Sequence, residues 1–230
     1  MRQFTTQGII LTRTEFGEAD RILTFITPDH GKIKAIAKGV RKGGAKLAGA
    51  IELFSVSELT IVVGRGEINT IISARLARHY GNIVKDIDRT NAAYEVLRIL
   101  NKATEDKTEE AYFTLLDKSL AALNDTEITP EITDLWFRMQ LLKITGHSPN
   151  LKTDETGKKL SQSKAYNFDY EKMRFASSEK GDFSPRHVKF LRLGLAAQGS
   201  RVLARVQSSE ELLPPLQPVV QVMLQSYLRV

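Results

Sequence analysis

Arg21-Ile-Leu-Thr-Phe-Ile-Thr-Pro-Asp-His-Gly-Lys-Ile-Lys-Ala-Ile-Ala-Lys38 decides how the first third of the chain folds. Residues 21–27 are rich in β-branched and aromatic side chains, as a strand requires. Pro28-Asp29-His30-Gly31 is a turn whose glycine is free to take positive φ. Residues 32–38 then alternate and resume as a strand. Upstream, residues 4–14 hold the short apolar run Gly8-Ile9-Ile10-Leu11. Downstream, residues 55–63 alternate, with Leu59, Ile61 and Val63 on one face and Glu58 and Thr60 on the other. Gly64-Arg65-Gly66 turns the chain into a last strand over 69–78. Five short strands with turn signals between them predict a small closed or nearly closed barrel.

From about residue 88 the apolar period becomes helical. Ala92, Ala93, Val96, Leu97 and Leu100 share a face, and residues 109–123 repeat the pattern with Ala111, Tyr112, Leu115, Leu116 and Leu120. Thr129-Pro130-Glu131 starts a third helix, with the stripe Ile132, Leu135, Trp136, Met139 and Leu142 and an end at Gly146. Ser184-Pro185 opens another in the same way, and Pro218 is read as the start of the last. Between them, residues 151–164 are polar, and Tyr-Asn-Phe-Asp-Tyr followed by Met-Arg-Phe-Ala-Ser predicts a hairpin within 166–177. The fold class is therefore α+β: a barrel over residues 1–80 and a helical domain over 81–230, with a small cysteine-free hairpin insertion at about 147–180.

The 230 residues are 42% apolar and 26% charged, the balance of a folded globular chain. No run is long and apolar enough to predict a membrane span, and the first residues lack the apolar core of a secretory signal. A cytoplasmic, nucleoid-associated location is expected. There is no cysteine, which excludes disulfides, thiolate zinc sites, iron–sulfur clusters and cysteine nucleophiles. The net charge of +6 is unevenly spread: residues 1–80 hold 12 Lys and Arg against 7 Asp and Glu, and the rest of the chain 21 against 20. Excess charge confined to the barrel points to an anionic partner there, and nucleic acid is the usual one.

That excess concentrates in residues 32–46, which carry six positive side chains and no negative one. Alternation along a strand puts Lys32, Lys34 and Lys38 on one side and Ile33, Ala35 and Ala37 on the other. The strand runs into a glycine-rich loop bearing Arg41, Lys42 and Lys46, with Arg65 in the next turn. Such an arrangement suits a phosphate backbone, which is recognised by charge. Lys32, Lys34, Lys38, Arg41, Lys42, Lys46 and Arg65 are the predicted nucleic-acid contacts. The barrel has few aromatic residues: Phe25 reads as core and Phe16, beside Gly17, as exposed. Little base preference is expected.

Catalytic readings find less support. A phosphate-binding P-loop needs Gly-Lys followed by a hydroxyl residue, and here Gly44 is followed by Ala45, Lys46 and Leu47. His30, His79, His147 and His187 have no metal-ligand spacing. Glu15, Glu18 and Asp20 cluster, and a metal-dependent nuclease is the enzymatic alternative. Their alternation with Arg13 and Arg21 fits salt bridging equally well. An RNA-binding barrel is a further alternative. No catalytic residue, metal or cofactor is predicted.

The segment from Gly8 through Lys42, together with Leu47-Ala-Gly-Ala-Ile-Glu-Leu-Phe54, Glu58-Leu-Thr and Gly64-Arg-Gly66, closely resembles the opening of the RecO family of bacterial recombination mediators. The remainder is compatible, with helices, Gly146-His-Ser-Pro-Asn-Leu151 and a terminal Leu-Gln-Ser-Tyr-Leu. The resemblance implies an oligonucleotide-binding (OB) barrel joined to a helical domain. It also implies binding of single- and double-stranded DNA, annealing of complementary strands and help in loading RecA. Partnership with RecR and with the C-terminal tail of single-strand-binding protein is implied too. For that tail, the apolar stripe on the helix at 130–145, flanked by Arg138 and Lys143, is the predicted groove. Many members hold zinc with four cysteines; here the first pair would fall near Asp154 and Gly157, so zinc is expected to be absent. Longer members end in a basic tail, whereas this sequence stops soon after Tyr227.

Overall fold

A computed structural model of the chain describes residues 2–45, 47–64, 66, 68–105, 109–154, 156–160 and 165–228. Its contacts divide it into two compact units, Met1–Asp125 and Thr126–Val230.

The first unit contains a closed five-stranded barrel. Its strands are β1 (Gln3–Phe16), β2 (Asp20–Thr27), β3 (Gly31–Ala37), β4 (Ser55–Val62) and β5 (Ile68–His79), in the order β1-β2-β3-β5-β4. β4 pairs with β1 and closes the ring, and β3 and β5 run parallel. This is the closed barrel that the alternation predicts, of the OB type that the resemblance implies. Leu23, Phe25, Ala35, Ala37, Leu59 and Ile61 fill it, because the side-chain period of two sends every other residue of each strand inward. The turn between β2 and β3 forms as read: Gly31 has φ 64°, and the Thr27 hydroxyl donates to the Gly31 carbonyl at 2.8 Å. Gly8 lets the barrel interior close up on β1, since a Cβ there would lie 2.7 Å from Leu59 Cδ1 and 3.1 Å from Phe25 Cδ1 and would force those side chains to shift.

Two helices, α1 (Ile87–Ala103) and α2 (Glu110–Asn124), complete this unit. Asp86 caps α1 by accepting from the amides of Asp88 and Arg89. Strand gives way to helix after β5, while the packing units part only after α2. The reason lies in the joints. The Tyr80 hydroxyl donates to Asp117 Oδ1 at 2.6 Å, and Arg78 pairs with the other oxygen of the same carboxylate at 2.9 Å. Lys32 ties β3 to α1, as described below.

The second unit contains α3 (Pro130–Ile144), the hairpin β6 (Ala165–Asp169) and β7 (Arg174–Ser178), α4 (Pro185–Ala196), the short α5 (Arg201–Ala204) and α6 (Ser209–Leu228). The hairpin falls where it is predicted, and Phe168, Phe175 and Phe183 meet edge to face beneath it. The start of α6 differs from the sequence reading. It begins at Ser209, so Pro214, Pro215 and Pro218 all lie inside the helix. Proline removes amide donors and normally breaks a helix. Here Leu212, Leu213, Leu216, Val219, Val220, Met223 and Leu224 form one continuous buried stripe across all three prolines. Burial of that stripe outweighs the missing backbone bonds. No helix among the described residues is long and apolar enough to cross a membrane.

Candidate nucleic-acid interface

β3 alternates as its sequence requires. Ala35 and Ala37 are buried in the barrel, and Lys34 is exposed. Lys34 lies between Thr24 of β2 and Ile68 of β5, its Cα partners on either side. After β3 the chain does not run out as an open loop. Successive turns hold it, with the amides of Lys42, Ala45 and Ala48 donating to the carbonyls of Gly39, Lys42 and Ala45. Two bonds anchor these turns to the β1–β2 turn: Gly39 N–H donates to Asp20 Oδ1 at 2.7 Å, and Arg41 N–H to the Ala19 carbonyl at 2.9 Å. Lys38 and Lys42 are exposed on this anchored segment and, like Lys34, make no ion pair among the described residues.

The predicted contact residues therefore separate into three groups. Lys34, Lys38 and Lys42 are exposed and make no ion pair among the described residues. Arg41 is committed elsewhere: its guanidinium pairs with Glu15 at 3.0 Å and donates to the Glu18 carbonyl at 3.2 Å. Lys32 does not join these three lysines. Its ammonium donates to the carbonyls of Asn101, at 2.9 Å, and Thr104, at 2.6 Å, at the C-terminal end of α1. There it satisfies carbonyls that the helix itself leaves unpaired and opposes the negative end of the helix dipole. Lys46 and Arg65 lie outside the described residues.

Two of the three clustered carboxylates are likewise engaged. Glu15 bridges Arg21, at 3.6 Å, and Arg41, at 3.0 Å, while Asp20 holds the Gly39 amide. Among the described residues no group of three or more His, Cys, Asp or Glu is placed to hold a metal ion. Phe16 is 52% exposed and Phe25 fully buried, which leaves a face with charge and few aromatic platforms.

In the second unit the predicted groove on α3 is occupied by the protein itself. Leu135, Trp136, Met139 and Leu142 are buried, and Trp136 Nε1–H donates to the Ala197 carbonyl at 3.1 Å. Arg138 pairs with Asp134 at 2.8 Å, and the Lys143 ammonium donates to the Leu195 carbonyl at 3.0 Å. This stripe is core, packed against α4, α5 and α6. A different concavity opens nearby. Arg186, Lys189, Phe190, Leu193, Val206 and Leu212 line a cavity of about 180 Å³. Four of these sit at i, i+3, i+4 and i+7 on α4, a spacing visible in the sequence but overshadowed by the stronger stripe of α3.

Two family models match the chain: Recombination protein O N terminal over residues 1–80, and Recombination protein O C terminal over residues 84–229. The chain belongs to the RecO family. Curated relatives include the DNA repair protein RecO of Dehalococcoides mccartyi, 35% identical over 150 residues, covering 65% of this chain and 58% of that protein. The proteins of the same name from Desulfatibacillum aliphaticivorans and a Thermoanaerobacter species are 33% and 30% identical over 154 and 152 residues. These matches cover 66% of this chain in each case, and 60% and 61% of the relatives. The matched region thus spans about three fifths of the length of these curated RecO proteins.

The zinc that the RecO resemblance implies does not fit the donors present. At the position of the first cysteine pair, Gly157 offers no side chain and the carboxylate of Asp154 is saturated with hydrogen bonds. The Ser177 hydroxyl, foremost, and then the Thr156 hydroxyl and the amides of Thr156 and Lys158 pull the Asp154 carboxyl from its ordinary 3.8 down to about 2. A carboxyl depressed in the folded state stabilises above its unfolded pKa and loses that contribution as pH falls through the folded value. The β6–β7 region is therefore expected to stay ordered at pH 4 and to loosen as pH approaches about 2, as read from amide NMR signals. Loosening complete by pH 5 would contradict this.

Proposed function

We propose that this chain is a DNA-binding recombination mediator that takes single-stranded DNA along the Lys34–Lys38–Lys42 track and anneals complementary strands, without catalysis of its own. The observation that carries this reading is three exposed lysines, without ion pairs among the described residues, on and just after β3 of an OB-type barrel. Membership of the RecO family supports a role in DNA repair and recombination; assistance to RecA loading and partnership with a RecR-type protein are part of the proposal. A face of charge with few aromatic platforms suits phosphate contact and strand pairing better than reading of bases.

Labelled complementary oligonucleotides incubated with the protein and magnesium test this reading. Faster pairing with full-length strands is expected. Shortened strands would favour a nuclease, and RNA bound in preference to DNA would favour an RNA-binding module.

The α4 cavity is proposed as the seat of the acidic, apolar-ended tail of single-strand-binding protein, in place of the buried α3 stripe. Phe190, Leu193, Val206 and Leu212 offer an apolar socket, and Arg186 and Lys189 offer cations for the carboxylates. A fluorescent copy of that tail should lose about tenfold in affinity on Arg186→Glu with Lys189→Glu, since each charge-assisted contact is worth 1.5–3 kcal/mol at most, roughly, before solvent screening. Lys143→Ala should leave the peptide's affinity unchanged. The opposite pattern would return the site to α3.

A further inference from the structure

The segment that would carry the family's zinc is folded without it, and the means is a single side chain. Asp154 is 6% exposed and uses every polar group it has. Its Oδ1 accepts from the Thr156 amide at 2.9 Å, the Thr156 hydroxyl at 2.8 Å and the Lys158 amide at 2.9 Å. Its own amide donates to the Lys158 carbonyl at 2.9 Å, and its carbonyl accepts from the Gly157 amide at 3.2 Å. Gly157 has φ 82°, so the turn relies on a residue free of Cβ strain. These bonds close a tight knuckle, extended by the bridge between Thr153 and Lys159.

The other oxygen reaches out of the knuckle. Asp154 Oδ2 accepts from the Ser177 hydroxyl at 2.6 Å, on β7, 23 residues away. A structural zinc ion does two things: it organises a short turn around itself and ties that turn to a second segment. It does so as a positive centre collecting electron-pair donors. A carboxylate is the same device with the polarity reversed, a negative centre collecting hydrogen donors. Neighbouring contacts tie the knuckle to β6 and the residue before it to α4. The Tyr166 hydroxyl donates to the Leu160 carbonyl, and Arg192 Nε–H to the Leu151 carbonyl at 2.7 Å.

We propose that Asp154 is the centre of a metal-free clasp, its carboxylate holding the 152–160 knuckle to the β6–β7 hairpin where other members use zinc. With no cysteine in the chain, the clasp is indifferent to chelators and to thiol oxidants. A member built this way keeps its second unit folded under conditions that strip or oxidise a thiolate site.

Hydrogen exchange read by mass spectrometry on the full chain tests the clasp. In Asp154→Ala, peptides covering 152–160 and 165–178 should exchange faster by about tenfold or more, because the charge-assisted bonds are lost. In Ser177→Ala, which spares the bonds within the knuckle, the tie to Asp154 is cut, and the 174–178 peptide should accelerate most. Barrel peptides in the same samples should not change. For the unaltered protein, neither a chelator nor added zinc should alter exchange in these segments. Unaltered exchange in both variants would overturn the proposal. So would stoichiometric zinc uptake that slows exchange at 152–160. Should Asp154→Ala unfold the whole second unit, the Ser177→Ala result decides.

Discussion

Replacing Lys34, Lys38 and Lys42 together with glutamate should weaken single-stranded DNA binding by about 100-fold or more near 50 mM salt, while the melting temperature stays within a few degrees of the parent's. All three side chains are exposed and make no ion pair among the described residues, so the change removes attraction and adds repulsion without unpicking the fold. The salt dependence supplies a second, independent readout. Each lost phosphate contact should lower the magnitude of the log–log slope by about 0.7 for single strands and about 0.9 for duplex. Equilibrium titrations at several salt concentrations give both numbers. An unchanged slope in a folded triple variant would place the DNA elsewhere on the molecule. Arg41→Glu is a poorer probe of the same idea. That guanidinium is engaged with Glu15 and the Glu18 carbonyl, so its loss confounds binding with local structure.

The barrel is legible in the sequence because its signals are local. Alternation over residues 32–38 and a Pro-Asp-X-Gly turn each act over a few residues, and Ala35, Ala37, Leu59 and Ile61 lie inward as read, whereas Val63, read on the Leu59–Ile61 face, falls past the end of β4 and is exposed. The hairpin and the Ser184-Pro185 helix start are local in the same sense. What escaped is what depends on a distant partner. The α3 stripe reads identically whether it is a groove or core, because periodicity says that a face is apolar and not what covers it. The deciding contact, Trp136 to the Ala197 carbonyl, spans 61 residues. The start of α6 escaped for the converse reason. Proline is a strong local signal, and a buried stripe running across three prolines overrode it. The clasp at Asp154 was half legible. Its position was marked by the missing cysteine, but its tie to Ser177 lies 23 residues away.

Lys32 is the sharpest case of the same limit, and its replacement should separate stability from binding. By alternation alone it belongs with Lys34 and Lys38. In the fold its ammonium lies against the last turn of α1, 69 and 72 residues away, donating to two carbonyls there. Those carbonyls are among the ones a helix cannot satisfy internally, and a cation beside them also opposes the dipole. Lys32→Met keeps most of the aliphatic stem and removes only the charge and its donors. It should cost about 2–3 kcal/mol of stability, a fall of roughly 5–10 °C in the melting transition of a unit this size. DNA affinity measured at low temperature, where the variant remains folded, should change by less than about twofold, since a charge spent on a helix end contributes little to a phosphate track. Scanning calorimetry and a parallel binding titration check the two halves. A variant that melts like the parent but binds DNA weakly would return Lys32 to the interface, and α1 would then need another cap.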